Sequence, residues 1–305
     1  MSSATDFALI RPVTITDAML TSSSVPEPAT GDSPDPAAWA AATAYIVGDR
    51  VSRLTIHKIY QRAVAGTTAT APELDTTNWV EVGSTNRWRM FDQANESQTS
   101  KADSIIVTLT PGVLADTAAF LNLDGDTLRV KVASTTYDQT ITLRDRAVVD
   151  WYSYFFEPFM SKTEVVFSGL PLLTSNAITF TLAKTGGIAK MGVAILGLAK
   201  AFGGTEYGAS VGIIDYSTKS TNAFGNTTVV RRAYSKRMNV DLFIESAKVD
   251  ELQRVLADYR ATPAVWIGAA NMYGALIVYG YYRSFDIVIA YLSHSKCRLE
   301  IEGLT

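Results

Sequence analysis

RMNVDLFIE, residues 237–245, runs directly into SAKVDELQRVLADYRATP, residues 246–263, and the join decides the fold of the carboxy-terminal third. In the first stretch Met238, Val240, Leu242 and Ile244 fall on one side of an extended chain, the period-two pattern of a half-buried strand. In the second, Val249, Leu252, Val255, Leu256 and Tyr259 recur at helical spacing. Ser246 is placed as an N-cap and Pro263 as a stop, which predicts a helix over 248–260. Four β-rich runs follow, at 264–268, 275–282, 284–291 and 296–302. One helix packed on an antiparallel sheet is the expectation for residues 205–305.

Working toward the amino terminus, short β-type runs alternate with turn residues. SIIVTLT (104–110), TLRVKVA (127–133) and QTITLR (139–144) show or approach period two, and 163–168 and 177–183 continue the series. Asp124-Gly125-Asp126 reads as a tight hairpin turn, and Gly186-Gly187 and Gly203-Gly204 read as loops. Many short strands at modest spacing predict a β-sandwich or jelly roll over 85–204, with residues 1–30 as its leading strand and linker. PEPATGDSPDPAAW, residues 26–39, holds prolines at 26, 28, 34 and 36, the composition of a stiff tether.

The bulk numbers remove several functions. With 27 Lys and Arg against 30 Asp and Glu, a net charge of −3 lacks the footprint of a nucleic-acid binder. The most apolar stretch, 191–199, is flanked by Lys190 and Lys200 and is too short to span a bilayer. The first residues carry no cationic run before an apolar segment, so neither a secretory signal nor membrane insertion is expected. The single cysteine, Cys297, alternates with Leu299 and Ile301 as a core residue would.

The only histidines are His57 and His294, and neither sits in a pattern that would serve as a catalytic base. His294 is read as an exposed turn residue between Ser293 and Ser295. Metal ligation by nitrogen and sulfur lacks a second pair beside His294 and Cys297. No GxGxxG or GK[ST] signature occurs, and Glu157, Glu164 and Glu206 have no motif around them. The expectation is a protein that is not an enzyme, with no cofactor and no metal. Arg231, Arg232, Lys236 and Arg237 form a basic cluster beside a strand and are candidate assembly contacts.

The texture changes over 37–83. Trp39, Tyr45, Gly48-Asp49, Val51, Tyr60, Pro72 and Trp79 give W…Y..GD.V…Y…P…W. A module this small buries little aliphatic area, so aromatic rings supply its core. The order and spacing resemble the small chitin- and cellulose-binding modules grouped as carbohydrate-binding module families five and twelve. That resemblance implies Tyr60 and Trp79 as core and Trp39 and Tyr45 as exposed rings that stack on sugar.

The flanking phrases carry a second resemblance. LIRPVTITDAMLTSSSVPE (9–27), STNRWRMFD (84–92), GIIDYSTKSTNAFGNTTVVRRAYSKR (212–237), LADYRATPAVWIG (256–268) and RLEIEGL (298–304) are similar to bacteriophage tail-tip or baseplate proteins of the distal-tail type. It implies a virion protein assembled in the bacterial cytoplasm, forming a ring or hub with itself and other tail proteins and contacting host-surface polysaccharide. The whole chain is therefore expected to be mainly β: a β-sandwich with an inserted aromatic-rich module at 31–84 and a carboxy-terminal α+β domain. A free-standing lectin-like or glycan-degrading protein is the alternative.

Overall fold

The computed structural model describes residues 6–31, 33–145, 150–156, 160–269, 273–289 and 291–304. The leading segment gives β1 (Asp6–Pro12) and β2 (Leu20–Ser23). The module gives β3 (Ala44–Tyr45), β4 (Arg50–Arg53), β5 (Lys58–Arg62), β6 (Gly66–Thr67) and β7 (Trp79–Ser84). The body follows with β8 (Thr99–Leu109), β9 (Thr117–Asp124), β10 (Thr127–Val132), β11 (Asp138–Thr142), β12 (Arg144–Asp145), α1 (Trp151–Phe156), β13 (Met160–Ser161), β14 (Val165–Ser168) and β15 (Ile178–Thr205). Last come β16 (Ser210–Asp215), β17 (Thr218–Thr221), β18 (Thr227–Val230), β19 (Tyr234–Glu245), α2 (Val249–Asp258), β20 (Ala264–Ile267), β21 (Ile277–Val288) and β22 (His294–Gly303). The fold is mainly β, with one substantial helix on an antiparallel sheet.

One 13-stranded sheet organises the molecule, with the path β11-β10-β15-β1-β20-β21-β22-β19-β16. Its spine is the 28-residue β15, which pairs with β8 along one edge and with β10 and then β9 along the other. The turn expected at Asp124-Gly125-Asp126 is therefore not a hairpin: β9 and β10 lie end to end on β15, and the chain bends between them. Opposite that bend the β15–β8 register shifts between Lys184 and Ile188, so Gly186-Gly187 forms an irregularity within a strand rather than a loop. The bent sheet encloses Leu109, Phe120, Leu128, Phe167, Phe180 and their neighbours.

Gly203-Gly204 is also strand, not loop. Gly203 pairs with Phe7, Gly204 pairs with Asp6 and Phe243, and a Cβ on Gly203 would lie 2.1 Å from the Phe243 carbonyl oxygen. The boundary drawn at 204/205 thus falls inside β15, and the leading strand β1 lies between β15 and β20 in the shared sheet. Strands at this junction are buried on both faces. Phe7, Leu9 and Trp266 face the carboxy-terminal core, while Ala8, Ile10, Val265, Ala119, Leu121 and Val193 fill a second cluster behind it.

The strand–helix join at 237–263 forms as its two periods dictate. Met238, Val240, Leu242 and Ile244 are fully buried with Leu252 and Leu256 of α2, while Val255 and Tyr259 pack partly against them. Two details differ from the expectation. Ser246 does not cap the helix: it opens a 3-10 turn, Ser246–Lys248, and its hydroxyl donates to the Tyr291 carbonyl at 3.2 Å, across to the start of β22. The runs at 275–282 and 284–291 belong largely to one strand, β21, broken only by a register shift between Tyr282 and Ser284. Gly280 is required there, because a Cβ would lie 2.0 Å from the Glu302 carbonyl oxygen.

Candidate functional site

The module stands outside the main sheet as two small sheets, β3–β6 and β4–β5–β7, between β2 and its sheet partner β8. A turn over 46–49 joins β3 to β4: the Ile46 N–H donates to Asp49 Oδ2 at 2.8 Å, and Gly48 takes φ +95°. Val51, Tyr60 and Trp79 form the core, with Trp39 and Tyr45 packed against it. Tyr45 meets Trp79 edge-on at 5.1 Å between centroids. Two guanidiniums cover the indoles, Arg62 over Trp79 at 4.9 Å and Arg53 over Trp39 at 5.1 Å. Arg53 is held by a bidentate pair to Glu73, at 2.9 and 2.6 Å, and that bond keeps the Glu73 carboxyl below the usual range. Burial, with the nearby carboxylates of Glu81 and Glu73, raises the Tyr60 hydroxyl.

Tyr60 and Trp79 lie in the core at 6% and 2% exposure. Trp39 and Tyr45 differ from the expectation of free rings. Both are half-buried, and the backbone N–H of Ala40 donates to the Tyr45 hydroxyl at 3.0 Å. The physical reason is size: a core of three residues closes only by drawing in every ring available. The large apolar side chains that the module exposes most are instead aliphatic, Ile46, Val47, Leu74 and Val80.

The proline-rich segment is not a free tether. Val25 and Ala29 are buried, and the Glu27 side chain is only 7% exposed. Glu27 accepts from Thr85 Oγ1 at 2.5 Å and Trp88 Nε1 at 3.1 Å, and lies 3.0 Å from His57 Nδ1. The His57 ring stacks on Trp88 with centroids 4.2 Å apart. Asp35 adds a second clamp, accepting from the backbone N–H groups of Ala29 and Asn86 at 2.7 and 2.9 Å. His57 thus pins the β4–β5 turn to the body. No sequence motif announced it, because its partners lie 30 residues away or more in either direction.

At this junction a cleft of about 280 Å³ is lined by Asp17, His57, Lys58, Trp88 and Asp92. Burial holds the Asp92 carboxyl above the usual range, against its bonds from Ser97. Glu27 takes up His57 Nδ1, and Nε2 lies 3.8 Å from Asp17, so both ring nitrogens face carboxylates. Among the described residues no group of three or more His, Cys, Asp or Glu is placed to hold a metal ion. Glu164 is bonded by Lys236, and Glu206 by Lys296 at 2.9 Å. Glu157 lies outside the described residues. His294 is no bare turn residue; it opens β22 and stacks between Phe243 and Tyr291, at 4.8 and 4.4 Å.

The basic cluster divides. Lys236 is bonded to Glu164, and Arg237 pairs with Glu300 at 3.4 Å, both on β19. Arg231 and Arg232 are exposed at the foot of an arm formed by β16 and the β17–β18 hairpin. That arm exposes Val211, Ile213, Phe224, Val229 and Val230, with Phe224 at 90%. Sequence reading noted this segment only as a family phrase. Its apolar residues carry the same local pattern as any strand, and only their exposure sets them apart. Neither the protein-family models nor the curated proteins searched match this chain.

Proposed function

We propose that this chain is a structural component of a bacteriophage tail tip or baseplate, acting within a symmetric assembly. The observation that carries the assembly part is the β16–β18 arm. Monomeric proteins rarely expose contiguous apolar surface, and an arm that carries five such residues is suited to being covered by another chain. The two terminal strands of the sheet path, β11 and β16, each pair on one side only among the described residues, and open edges of this kind are ordinarily managed by pairing or cover. The tail assignment rests on the phrase-level resemblance along the chain.

Within this reading the module is a clamped appendage. Its route to host polysaccharide is the part of Trp39 and Tyr45 that still reaches solvent, multiplied over several copies in one particle. The experiment is deletion of residues 37–83 in particles whose tail content is followed by mass spectrometry and averaged electron micrographs. The expected result is the chain in the tail tip in both cases, with weaker host attachment after deletion. A wild-type chain absent from particles, found instead as a free protein that binds or cleaves polysaccharide, refutes the tail assignment.

A further inference from the structure

Strand pairing closes part of the sheet on itself. The path β15-β1-β20-β21-β22-β19 returns to β15 through Gly204↔Phe243 and Thr205↔Leu242, so these strands form a barrel around the carboxy-terminal core. Met238, Val240, Leu242, Leu299 and Ile301 belong to that core, and strand alternation turns Arg237, Asn239, Asp241, Arg298 and Glu300 outward. On this outer face lies an open cavity of about 300 Å³, lined by those five side chains together with Ser210 and Ser284.

The floor is a polar row across neighbouring strands. The register places Ser210 of β16 beside Asn239 of β19, Asn239 beside Glu300 of β22, and Glu300 beside Ser284 of β21. Asp241 and Arg298 pair in the adjoining row. A bulge closes one end. The Glu206 N–H donates to the Asp241 carbonyl and Ser210 pairs with Asn239, so Tyr207, Gly208 and Ala209 all stand opposite Val240. Bulges of this kind are over-represented beside functional sites.

The polar groups here are under-used. Asn239 Nδ2 donates to Ser210 Oγ at 3.3 Å, and Ser284 Oγ donates to Glu300 at 3.4 Å. Arg237 Nε lies 3.4 Å from Glu300, and Arg298 Nε lies 3.3 Å from Asp241. Charge-assisted bonds close to about 2.7–2.9 Å or less. Arg53–Glu73 and Lys200–Glu251 reach 2.6 Å in this same chain. Asn239 Oδ1 is buried and has no hydrogen-bond partner among the described residues. An empty buried acceptor carries a desolvation cost that a bound hydroxyl removes.

The lining also selects the ligand. Two guanidiniums stand with two carboxylates, so the cavity offers no net charge to an ion. Val240 and Leu299 border it only from the strands, since they are 1% and 0% exposed. It therefore lacks the apolar centre on which a protein partner would anchor. A neutral molecule that donates and accepts on every side suits it. Carboxylate, amide and guanidinium groups present paired acceptors or donors, which match adjacent hydroxyls of a sugar.

We infer that this outer-face cavity is a binding site for a neutral saccharide, with one hydroxyl on Asn239 Oδ1 and its neighbours shared among Arg237, Asp241, Arg298 and Glu300. No residue of the 37–83 module lines it, and the inference does not rest on the tail assignment.

The test is saturation-transfer nuclear magnetic resonance on the full chain with maltotriose, cellotriose, lactose and N,N′-diacetylchitobiose at millimolar concentration. A hyaluronan tetrasaccharide is the charged comparison. Binding of at least one neutral probe, tighter than that of hyaluronan, is expected. Asn239→Ala and Arg298→Ala should each weaken it about tenfold, the loss of one hydrogen bond. Arg298 is 78% exposed, so its variant should unfold at the wild-type denaturant midpoint, which separates lost binding from lost folding.

No transfer to any neutral probe overturns the inference, as does an affinity unchanged in both variants. Binding that Trp39→Ala abolishes and Asn239→Ala leaves intact belongs to the module and overturns it too. Tighter binding of hyaluronan than of every neutral probe would make the arginines an anion site instead. A chain that sits in the tail tip and binds none of the probes refutes this site alone. A chain that binds through Asn239 yet is absent from particles refutes the tail assignment alone and supports the site.

Discussion

Replacing Leu256 by alanine tests the strand–helix core directly. Leu256 is 1% exposed and shares one cluster with Leu252 and the inward residues of β19 and β22, among them Val240, Leu242, Leu299 and Ile301. Burying a leucine side chain is worth about 1.5–3 kcal/mol, and truncation adds about 24 cal/mol for each Å³ of cavity left behind. The sheet behind the helix is fixed by the continuous β19–β22 register from Arg237↔Glu302 to Glu245↔His294, so it cannot move in to fill the gap. Lys200 and Glu251, 2.6 Å apart, hold α2 to β15 on its outer side. Little collapse is therefore available, and the cost should lie in the upper part of the range for such changes, about 3–4 kcal/mol. Gln253→Ala, on the exposed face, should change stability by less than about 0.5 kcal/mol. Urea unfolding followed by far-ultraviolet circular dichroism reads both. Equal losses for the two variants would sink the assignment of the buried face.

The remaining predictions concern the clamp and the thiol. Glu27→Ala removes the acceptor used by Thr85 and Trp88, both buried, and should cost roughly 1–3 kcal/mol, felt at the module–body junction. Hydrogen exchange should rise over residues 85–91 and stay unchanged in β8 and β15; a uniform rise would show that Glu27 supports the whole fold. Burial pushes the Cys297 thiol up to about 12 from 9.0. An alkylating reagent should reach it only after unfolding, and its contribution to stability should be intact below about pH 9 and erode as pH climbs toward 12. Rapid alkylation of native protein at pH 8 would contradict the packing around β22.

Legibility followed how many faces of an element are buried. β19 and β22 have one buried face each, so Met238 to Ile244 and Cys297 to Ile301 alternate and could be read at once. β9 was not read as a strand: six of its eight positions, all but Asn122 and Asp124, are buried, and a strand buried on both sides loses its period. The same two-sided burial hides β1 and β20 as junction strands, since ALI at 8–10 and AVWI at 264–267 show only that they are apolar. Turn chemistry misled at Asp124-Gly125-Asp126, because an Asp-Gly pair marks a change of direction whether or not the flanking strands pair with each other.

Function was less legible for a related reason. The aromatic pattern of the module named its rings correctly as a set, but sequence order cannot divide rings between inside and outside when the core is only three residues. The WYSYFF run of α1 posed the opposite problem. Five aromatics in six residues look like core, and a period cannot be judged over fewer than two helical turns. Only the structure shows that Trp151, Tyr152, Phe155 and Phe156 are exposed. A residue type that normally stabilises by burial therefore stands here without burial in its own chain.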